Sequence, residues 1–469
     1  MKKASIIFLI LSVLLIKMNV QISVKLALFA IFLLALSAED LCSSWPIITL
    51  VFFIVVTALK LLQFSFYMST GFDLGIRASI LHNLAYHGRL FDSLNQTGGF
   101  SGHIWPVAYP LSLLMYIWDD PRILLITQSL FISLIVPVAC LLFKALNLEK
   151  RYRTILLSIV IFNIYLHRVS GFDFHPEALG ISIFILGIYA LEKRTYGIFY
   201  LSLLLTLILK EDVTIAWISL GFYYWFNNKK DALRIFIPTV IYGILAAILV
   251  LKYVNLGMMA GANYSGNFNV TSRIKPVTEF FLSFAFLPIL TAKGIVSYIL
   301  PLFEHILSSK PIHYQLKCQY SAMLIPSVLL ASIIALKRVK FKRNLLMLLV
   351  ILAGLFSINE GLVERYIAYD RIDSKRKAYL DEIINELPQD EVVSAGNHIT
   401  PHLVTTHKVY QFPLIKDADL IVIDTTWHDF TPLTPDSGMK FLSKVVKSGD
   451  FEVVSDSLGV LILRKSSYR

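Results

Sequence analysis

The apolar run PIITLVFFIVVTALKLLQFSFYM, residues 46–68, carries one charged side chain in 23 positions. A helix needs about 20 apolar residues to cross the hydrocarbon core of a bilayer, so this run predicts a membrane span. Similar runs occur at 4–16, 25–38, 121–143, 154–169, 177–191, 198–210, 212–226, 235–255, 277–291, 294–307, 320–336 and 345–358. The sequence therefore predicts an all-α polytopic membrane protein with about 11–13 transmembrane helices.

The composition agrees with a membrane protein and excludes several other classes. Of the 469 residues, 56% are hydrophobic and 16% are charged, against roughly 25% charged in an average soluble domain. A cytosolic enzyme or a disordered chain would not have this balance. The three cysteines are far apart, so neither a disulfide framework nor a thiolate metal site is expected. The net charge of +11 is assigned to cytoplasmic loops, not to nucleic acid binding.

Basic loops predict the orientation of the chain in the cell membrane. If the amino terminus is cytoplasmic, the four densest basic clusters, at 144–153, 192–197, 227–234 and 337–344, also lie inside, as the positive-inside rule requires. This arrangement requires that segment 106–118, interrupted by two prolines, lies at the interface or re-enters the membrane. Loops 69–120 and 170–176 are then on the outer face.

The end of the chain, residues 359–469, has the composition of a soluble domain. Residues 392–395, 420–424, 451–454 and 460–463 are predicted strands, and residues 373–387 and 439–447 are predicted helices. Alternating elements indicate a small extracytoplasmic α/β domain that follows a transmembrane domain of residues 1–358.

Charged side chains at membrane depth cost about 2.5–3.5 kcal/mol each, so clusters of them need a reason. The first cluster is GFDLGI, residues 71–76, directly after the predicted span. Asp73 could act as a general base or bind a cation there. The alternative is that Asp73 caps the helix that follows.

The second cluster consists of Arg168 and GFDFHPE, residues 171–177, between two predicted spans. Asp173, His175 and Glu177 are suitable oxygen and nitrogen ligands for a divalent cation. The carboxylates could instead only interact with the positive end of the next helix. The number of ionisable groups in so short a connection favours a functional site.

The third cluster is Lys210-Glu211-Asp212, at the end of a predicted span. Lys210 could contact a phosphate, or the three charges could form a solvated turn. His103 and His313 are weaker candidates in other outer loops, as are the loops NHITPH (397–402) and WHD (427–429). No Walker, GxGxxG, GxSxG or HExxH motif is present, so nucleotide chemistry and zinc proteolysis have no support.

Several motifs in order resemble a family of bacterial and archaeal predicted membrane proteins. They are FDLGI (72–76), FDFHPEAL (172–179), LLLTLILKEDV (203–213), HYQ (313–315), QYSAMLIP (319–326), PHLVTTHKVYQFP (401–413) and DLIVID (419–424). That family in turn resembles the GT-C class of integral-membrane glycosyltransferases, which transfer sugar from a polyprenyl-phosphate donor outside the cytoplasm.

The GT-C resemblance implies roles for the three clusters. Asp73 matches the acid of the first outer loop, although it lacks the paired acid of some members. Asp173, His175 and Glu177 occupy the second outer loop, where some members hold an acid or a metal ligand.

The resemblance therefore implies a lipid-linked sugar donor, a glycan, lipid or protein acceptor, and a Mg or Mn ion as the cofactor to consider. The expected catalytic residues are Asp73, Asp173 and Glu177. The expected metal ligands are Asp73, Asp173 and His175. The expected substrate-binding residues are Arg168, His175, Lys210, Asp212, His103 and His313.

Two other functions are compatible with the sequence. A secondary transporter or flippase would also have about twelve spans, but it would place charges near the bilayer midplane and show repeated halves. A non-catalytic envelope assembly protein would have no enclosed polar cavity under its outer loops. Charges that gather at one face, without a visible repeat, favour the enzyme.

Overall fold

Apolar helices occupy most of the chain in a computed structural model that describes residues 1–15, 20–254, 268–362 and 373–466. Helix formation follows from the long runs rich in Leu and Ile, although prolines interrupt some of them, such as Pro238 and Pro276. The first seven helices are α1 (Lys2–Leu15), α2 (Val20–Leu36), α3 (Trp45–Ser65), α4 (Ile76–His87), α5 (Ala108–Ser112), α6 (Arg122–Ser133) and α7 (Ile135–Ala145).

The remaining helices of the bundle are shorter on average and often interrupted. They are α8 (Lys150–Ile161), α9 (Ile164–Ser170), α10 (Pro176–Glu192), α11 (Tyr196–Leu207), α12 (Val213–Trp225), α13 (Lys229–Tyr253), α14 (Thr271–Ser283), α15 (Ala292–Val296), α16 (Ile299–Leu307), α17 (Pro311–Tyr314), α18 (Leu324–Arg338) and α19 (Arg343–Ser357).

Among the described residues, four continuous helical segments are long and apolar enough to cross a membrane. They are Leu41–Ser65, Arg122–Ala145, Lys229–Tyr253 and Arg343–Gly361. A fifth candidate is the pair Pro311–Ser321 and Leu324–Arg338, bent by 81°. The predicted 11–13 spans would require the shorter and broken helices to cross as well, so that number stays a prediction.

The surface of α13 shows where the bundle faces lipid. Only 17% of its most apolar stretch is buried inside the protein, and Ile237, Ile244 and Leu251 are all more than half exposed. In contrast, 61% of the segment Arg122–Ala145 is buried, so α6 and α7 lie inside the bundle. The segment predicted to lie at the interface forms only α5 and the 3-10 turn Leu113–Tyr116, with Leu113 and Tyr116 exposed.

One expectation about the cysteines is wrong. Cys42 and Cys140 form a disulfide, with Cα atoms 5.5 Å apart and a separation of 98 positions in the sequence. The pair joins the start of the α3 segment to α7. The spacing of the cysteines could not indicate this bond, because only the packing of the two segments brings them together.

The C-terminal region folds as the predicted small α/β unit. Its helices are α20 (Ser374–Glu386), α21 (Thr400–Leu403) and α22 (Pro435–Ser448). Five strands pair in the order β4-β3-β5-β7-β6, with β3 parallel to β4 and β5, and β7 antiparallel to β5 and β6. They are β3 (Val393–Ala395), β4 (Val409–Gln411), β5 (Leu420–Asp424), β6 (Phe451–Ser457) and β7 (Val460–Lys465); β1 (Phe91–Asp92) and β2 (Thr97–Gly98) form a separate hairpin.

The two faces of the five-stranded sheet have different neighbours. Alternate residues of a strand point to opposite faces, and Leu420 and Val422 belong to the same buried cluster as the membrane helices. Ile421 and Ile423 instead pack with Leu442 of α22. The sheet is therefore built onto the helical bundle, and the described residues of the two regions share one apolar core.

Candidate functional site

Asp73 lies in a π-helical turn, Gly71–Gly75, between α3 and α4. Its Oδ2 accepts a hydrogen bond from Thr70 Oγ1 at 3.3 Å, and its Oδ1 is 3.4 Å from His175 Nε2. Among the described residues, no side chain makes a capping hydrogen bond to the first turn of α4. The capping alternative for Asp73 is therefore wrong, and its carboxylate faces the second predicted cluster.

Asp173 is buried and contacts the same threonine, Thr70. Its Oδ2 accepts hydrogen bonds from Thr70 N at 2.8 Å and Thr70 Oγ1 at 3.0 Å, so one threonine joins the carboxylates of both loops. Burial raises the pKa of Asp173, while the positive charge of Lys60 opposes that shift. Lys60 Nζ also donates a hydrogen bond to the carbonyl of Phe172.

Lys210 is buried between two carboxylates, one from the third cluster and one from the second. Its Nζ is 2.8 Å from Glu177 Oε1 and 2.7 Å from Asp212 Oδ2. Glu177 follows His175 by two residues, so these contacts continue the chain that starts at Asp73 and Asp173. The three clusters that the sequence singled out are thus brought into one connected polar site.

A cavity of about 720 Å³ opens beside this site. One wall is polar and includes Lys210, Asp212 and Lys310. The other wall is apolar and comes from α13, where Gly243, Ala246, Ala247, Val250 and Leu251 line it. Since the exposed face of α13 is apolar, the cavity joins a charged cluster to a surface suited to lipid.

His103 lines this cavity and is oriented by a carboxylate. Its Nδ1 is 2.7 Å from Glu211 Oε1, and Glu211 Oε2 accepts a hydrogen bond from Ile104 N at 3.0 Å. Burial and the charge of Lys210 lower the pKa of His103, although Glu211 acts in the opposite direction. The imidazole is therefore neutral near pH 7.

His313 also reaches the cavity. Its ring packs on Tyr320 with centroids 4.2 Å apart, and its Nδ1 is 3.0 Å from Ser308 Oγ. Both histidines therefore line the same cavity, and their role as substrate contacts stays a prediction.

Arg168 does not join the Lys210 contacts. Its guanidinium lies 4.6 Å from the centre of the Tyr165 ring, and its Nη2 is 3.7 Å from Glu360 Oε2. The sequence analysis groups Arg168 with Asp173 because the two residues are close in the sequence. The short helix α9 (Ile164–Ser170) nevertheless places Arg168 beside Glu360, just after the end of α19.

The predicted metal ligands lie close together. Asp73 is 3.4 Å from His175, and Thr70 lies between the carboxylates of Asp73 and Asp173. No group of three or more His, Cys, Asp or Glu side chains within residues 1–15, 20–254, 268–362 and 373–466 has the arrangement of a metal site. A Mg or Mn ion at Asp73, Asp173 and His175 therefore stays a prediction.

Two cations of the site were missed. Arg77 of α4 lies over Trp105 at 4.6 Å and interacts electrostatically with Glu177, Asp73 and Glu211. Its spacing of four residues from Asp73 was a usable signal, because residues i and i+4 share a helix face. Lys310 lines the cavity and makes no ion pair among the described residues, but nothing in its sequence context indicated this.

The helical bundle with the α/β unit packed on it has a fold of the GT-C type, as the comparison with solved structures shows. The structure is similar to that of ArnT from Cupriavidus metallidurans bound to undecaprenyl phosphate, with a TM-score of 0.55 over 91% of this chain and 99% of that chain. The apo state of the same ArnT gives a TM-score of 0.50 over 87% of this chain and 97% of that chain.

The sequence identities to these two structures are 10% and 11%, so the likeness concerns the fold. No curated protein matches the sequence. A family model matches residues 64–271 and 263–462, which include all three clusters. The chain belongs to this family, described as predicted membrane protein (DUF2079).

Proposed function

We propose that this chain is a membrane glycosyltransferase that moves a sugar from a polyprenyl-phosphate donor to an extracytoplasmic acceptor. The observation that carries the proposal is the cavity with one charged and one apolar wall, which is lined by Lys210 and by Phe72, the residue before Asp73. A lipid-linked sugar phosphate has the same division, with a polar headgroup and a long hydrocarbon chain. The ArnT of similar fold was crystallised with such a lipid phosphate.

The proposed reaction uses Asp73 as general base. The acceptor hydroxyl oxygen bonds to the anomeric carbon, the bond from that carbon to the phosphate oxygen breaks, and the hydroxyl proton passes to the Asp73 carboxylate. The leaving polyprenyl phosphate keeps the electron pair. His175 at 3.4 Å and Thr70 at 3.3 Å hold the Asp73 carboxylate in place.

The other members of the cluster have supporting roles in this proposal. Asp173 fixes Thr70, and Glu177 with Asp212 holds Lys210, so these carboxylates position the site and do not react. Lys310 is the cation that contacts the phosphate, because Lys210 is already paired with two acids. His103 and His313 supply hydrogen bonds to the sugar or phosphate, with no step assigned to a metal ion.

A binding experiment tests the cavity. In full-length protein in lipid nanodiscs, Lys310→Met is expected to weaken undecaprenyl phosphate binding about 10- to 100-fold, since a hydrogen bond to a charged group contributes about 1.5–3 kcal/mol. Lys317→Met, an exposed lysine of the same loop outside the cavity lining, is the control and should bind like wild type.

Two results would contradict the assignment: no saturable binding by wild type, or equal affinity of wild type and Lys310→Met. A flippase would bind the lipid as well. It would then move labelled undecaprenyl-phosphate sugar across a vesicle membrane with the sugar–phosphate bond intact, which the proposed transferase does not do.

The proposed orientation places the amino terminus in the cytoplasm and the C-terminal unit outside. Single cysteines at exposed positions 270, 312 and 443 should react with an impermeant maleimide from outside, and cysteines at exposed positions 150, 230 and 340 should not. A Cys318→Ser background removes the cysteine that is outside the disulfide, and labelling of position 340 from outside would reverse the orientation.

A further inference from the structure

The loop after strand β3 holds the turn that carries Asp73. The carbonyl of Asn397 accepts a hydrogen bond from Gly71 N at 2.6 Å, and Asn397 Oδ1 accepts one from Phe72 N at 2.9 Å. These two amides directly precede Asp73 in the chain. A single residue of the C-terminal unit therefore fixes the start of the turn from a distance of more than 300 positions in the sequence.

Asp429 holds the side chain of Asn397 in the orientation that this contact needs. Asn397 Nδ2 donates to Asp429 Oδ2 at 2.7 Å, so the amide oxygen is left to face Phe72. Burial opposes ionisation of Asp429, but hydrogen bonds from His398, Thr431 and Asn397 outweigh it and hold its pKa well below the usual range. Asp429 is therefore a charged anchor at neutral pH.

The surface around Asn397 fits the turn closely. A Cβ on Gly71 would collide with the side-chain oxygen of Gln411 and come within 2.9 Å of Thr400 Cβ. The ring of His402 packs 4.2 Å from both Phe64 and Tyr67, at the end of α3. The C-terminal unit thus contacts the turn and the segment before it, and only glycine suits position 71.

We propose that Asn397, held by Asp429, is a positioning residue that fixes the Gly71–Gly75 turn and so places Asp73 against His175 and Thr70. The role assigned to Asp73 rests on the proposed function. The C-terminal unit is then part of the active site and not only a binding module for the acceptor. Loss of the Asn397 side chain releases the Phe72 amide and lets Asp73 move relative to His175.

Hydrogen exchange measures this positioning without a known substrate. In the full chain in nanodiscs, Asn397→Ala should increase amide exchange in a peptide covering residues 66–80 roughly tenfold, as expected for loss of one buried hydrogen bond and its partner. Peptides within α6 and α7 should exchange as in wild type, which shows that the bundle is folded. Asn385→Ala, an exposed asparagine of α20, is the matched control.

A role exchange tests whether the Asn397–Asp429 pair is responsible. Asn397→Asp and Asp429→Asn alone should each raise exchange at residues 66–80. Asn397→Asp places two carboxylates next to each other, and Asp429→Asn places two side-chain amides next to each other. The double variant Asn397→Asp/Asp429→Asn restores one donor and one acceptor and should return exchange to within about twofold of wild type. A general loss of packing would not be repaired in this way.

Two outcomes would overturn the inference: unchanged exchange at residues 66–80 in Asn397→Ala, or no recovery in the double variant. Undecaprenyl phosphate binding by the wild type is measured in the same nanodiscs. Absence of lipid binding in wild type would instead contradict the proposed function and leave the exchange result intact.

Discussion

Asp73→Asn is expected to lower sugar transfer by 10²–10⁴-fold, the contribution that a general base typically makes. The amide keeps the size of the side chain and can still accept from Thr70 Oγ1, which lies 3.3 Å from the carboxylate. It cannot take the proton of an acceptor hydroxyl. Insertion into the membrane and affinity for undecaprenyl phosphate should therefore be nearly unchanged while turnover is lost.

The matched control for Asp73→Asn is Asp119→Asn in the same polar loop. Asp119 also pairs with a histidine, with Oδ1 2.9 Å from His82 Nδ1, and its side chain is 30% exposed against 25% for Asp73. Only Asp73 contacts the loop of the second cluster. Near-normal transfer by Asp73→Asn, or an equal loss in Asp119→Asn, would show that Asp73 is not the base.

Lys210→Met is expected to reduce the free energy of unfolding by about 3–5 kcal/mol, because it leaves buried carboxylates without their cation. Both partners, Glu177 and Asp212, are within 2.8 Å of Lys210 Nζ, and the lysine side chain is only 9% exposed. The measurement is denaturant or thermal unfolding of the full chain in mild detergent. Adding Asp212→Asn to Lys210→Met should recover part of the loss.

A surface ion pair of the same chemistry provides the comparison for Lys210. Lys408 Nζ is 2.6 Å from Asp417 Oδ2, and the two side chains are 56% and 57% exposed. Lys408→Met should change the free energy of unfolding by about 1 kcal/mol or less, the usual contribution of an exposed pair. Equal effects of the two substitutions would mean that Lys210 is solvated and not part of an enclosed site.

Much of the fold could be predicted because apolar periodicity is a local property. Long Leu- and Ile-rich runs indicate helices wherever they occur, and strands such as Leu420–Asp424 were recognised from their buried pattern. The strand Val409–Gln411 was missed because three residues between polar loops carry almost no pattern. The number of spans was also beyond local reasoning, because tertiary packing decides which helices bend or break.

The only general rule that helps to predict the site is that charged side chains at membrane depth must be paired. Isolated charges at membrane depth are costly, and the structure pairs them: Thr70 contacts both Asp73 and Asp173, and Lys210 contacts Glu177. Arg168 also found a partner, but that partner is Glu360, far along the chain. Lys310 has no local signal, and Asn397 stands out only as part of the weaker candidate loop 397–402, since the positions of both depend on which distant segments pack at the site.

The central claim is tested most directly by following a radiolabelled sugar on undecaprenyl phosphate. Full-length protein in nanodiscs is incubated with a panel of undecaprenyl-phosphate monosaccharides and an envelope fraction that supplies acceptors. We expect wild type to move the label from the lipid to the acceptor fraction and release undecaprenyl phosphate, and Asp73→Asn to leave the donor intact. A label that remains on the lipid with wild type for every donor in the panel, as in empty nanodiscs, would contradict the account.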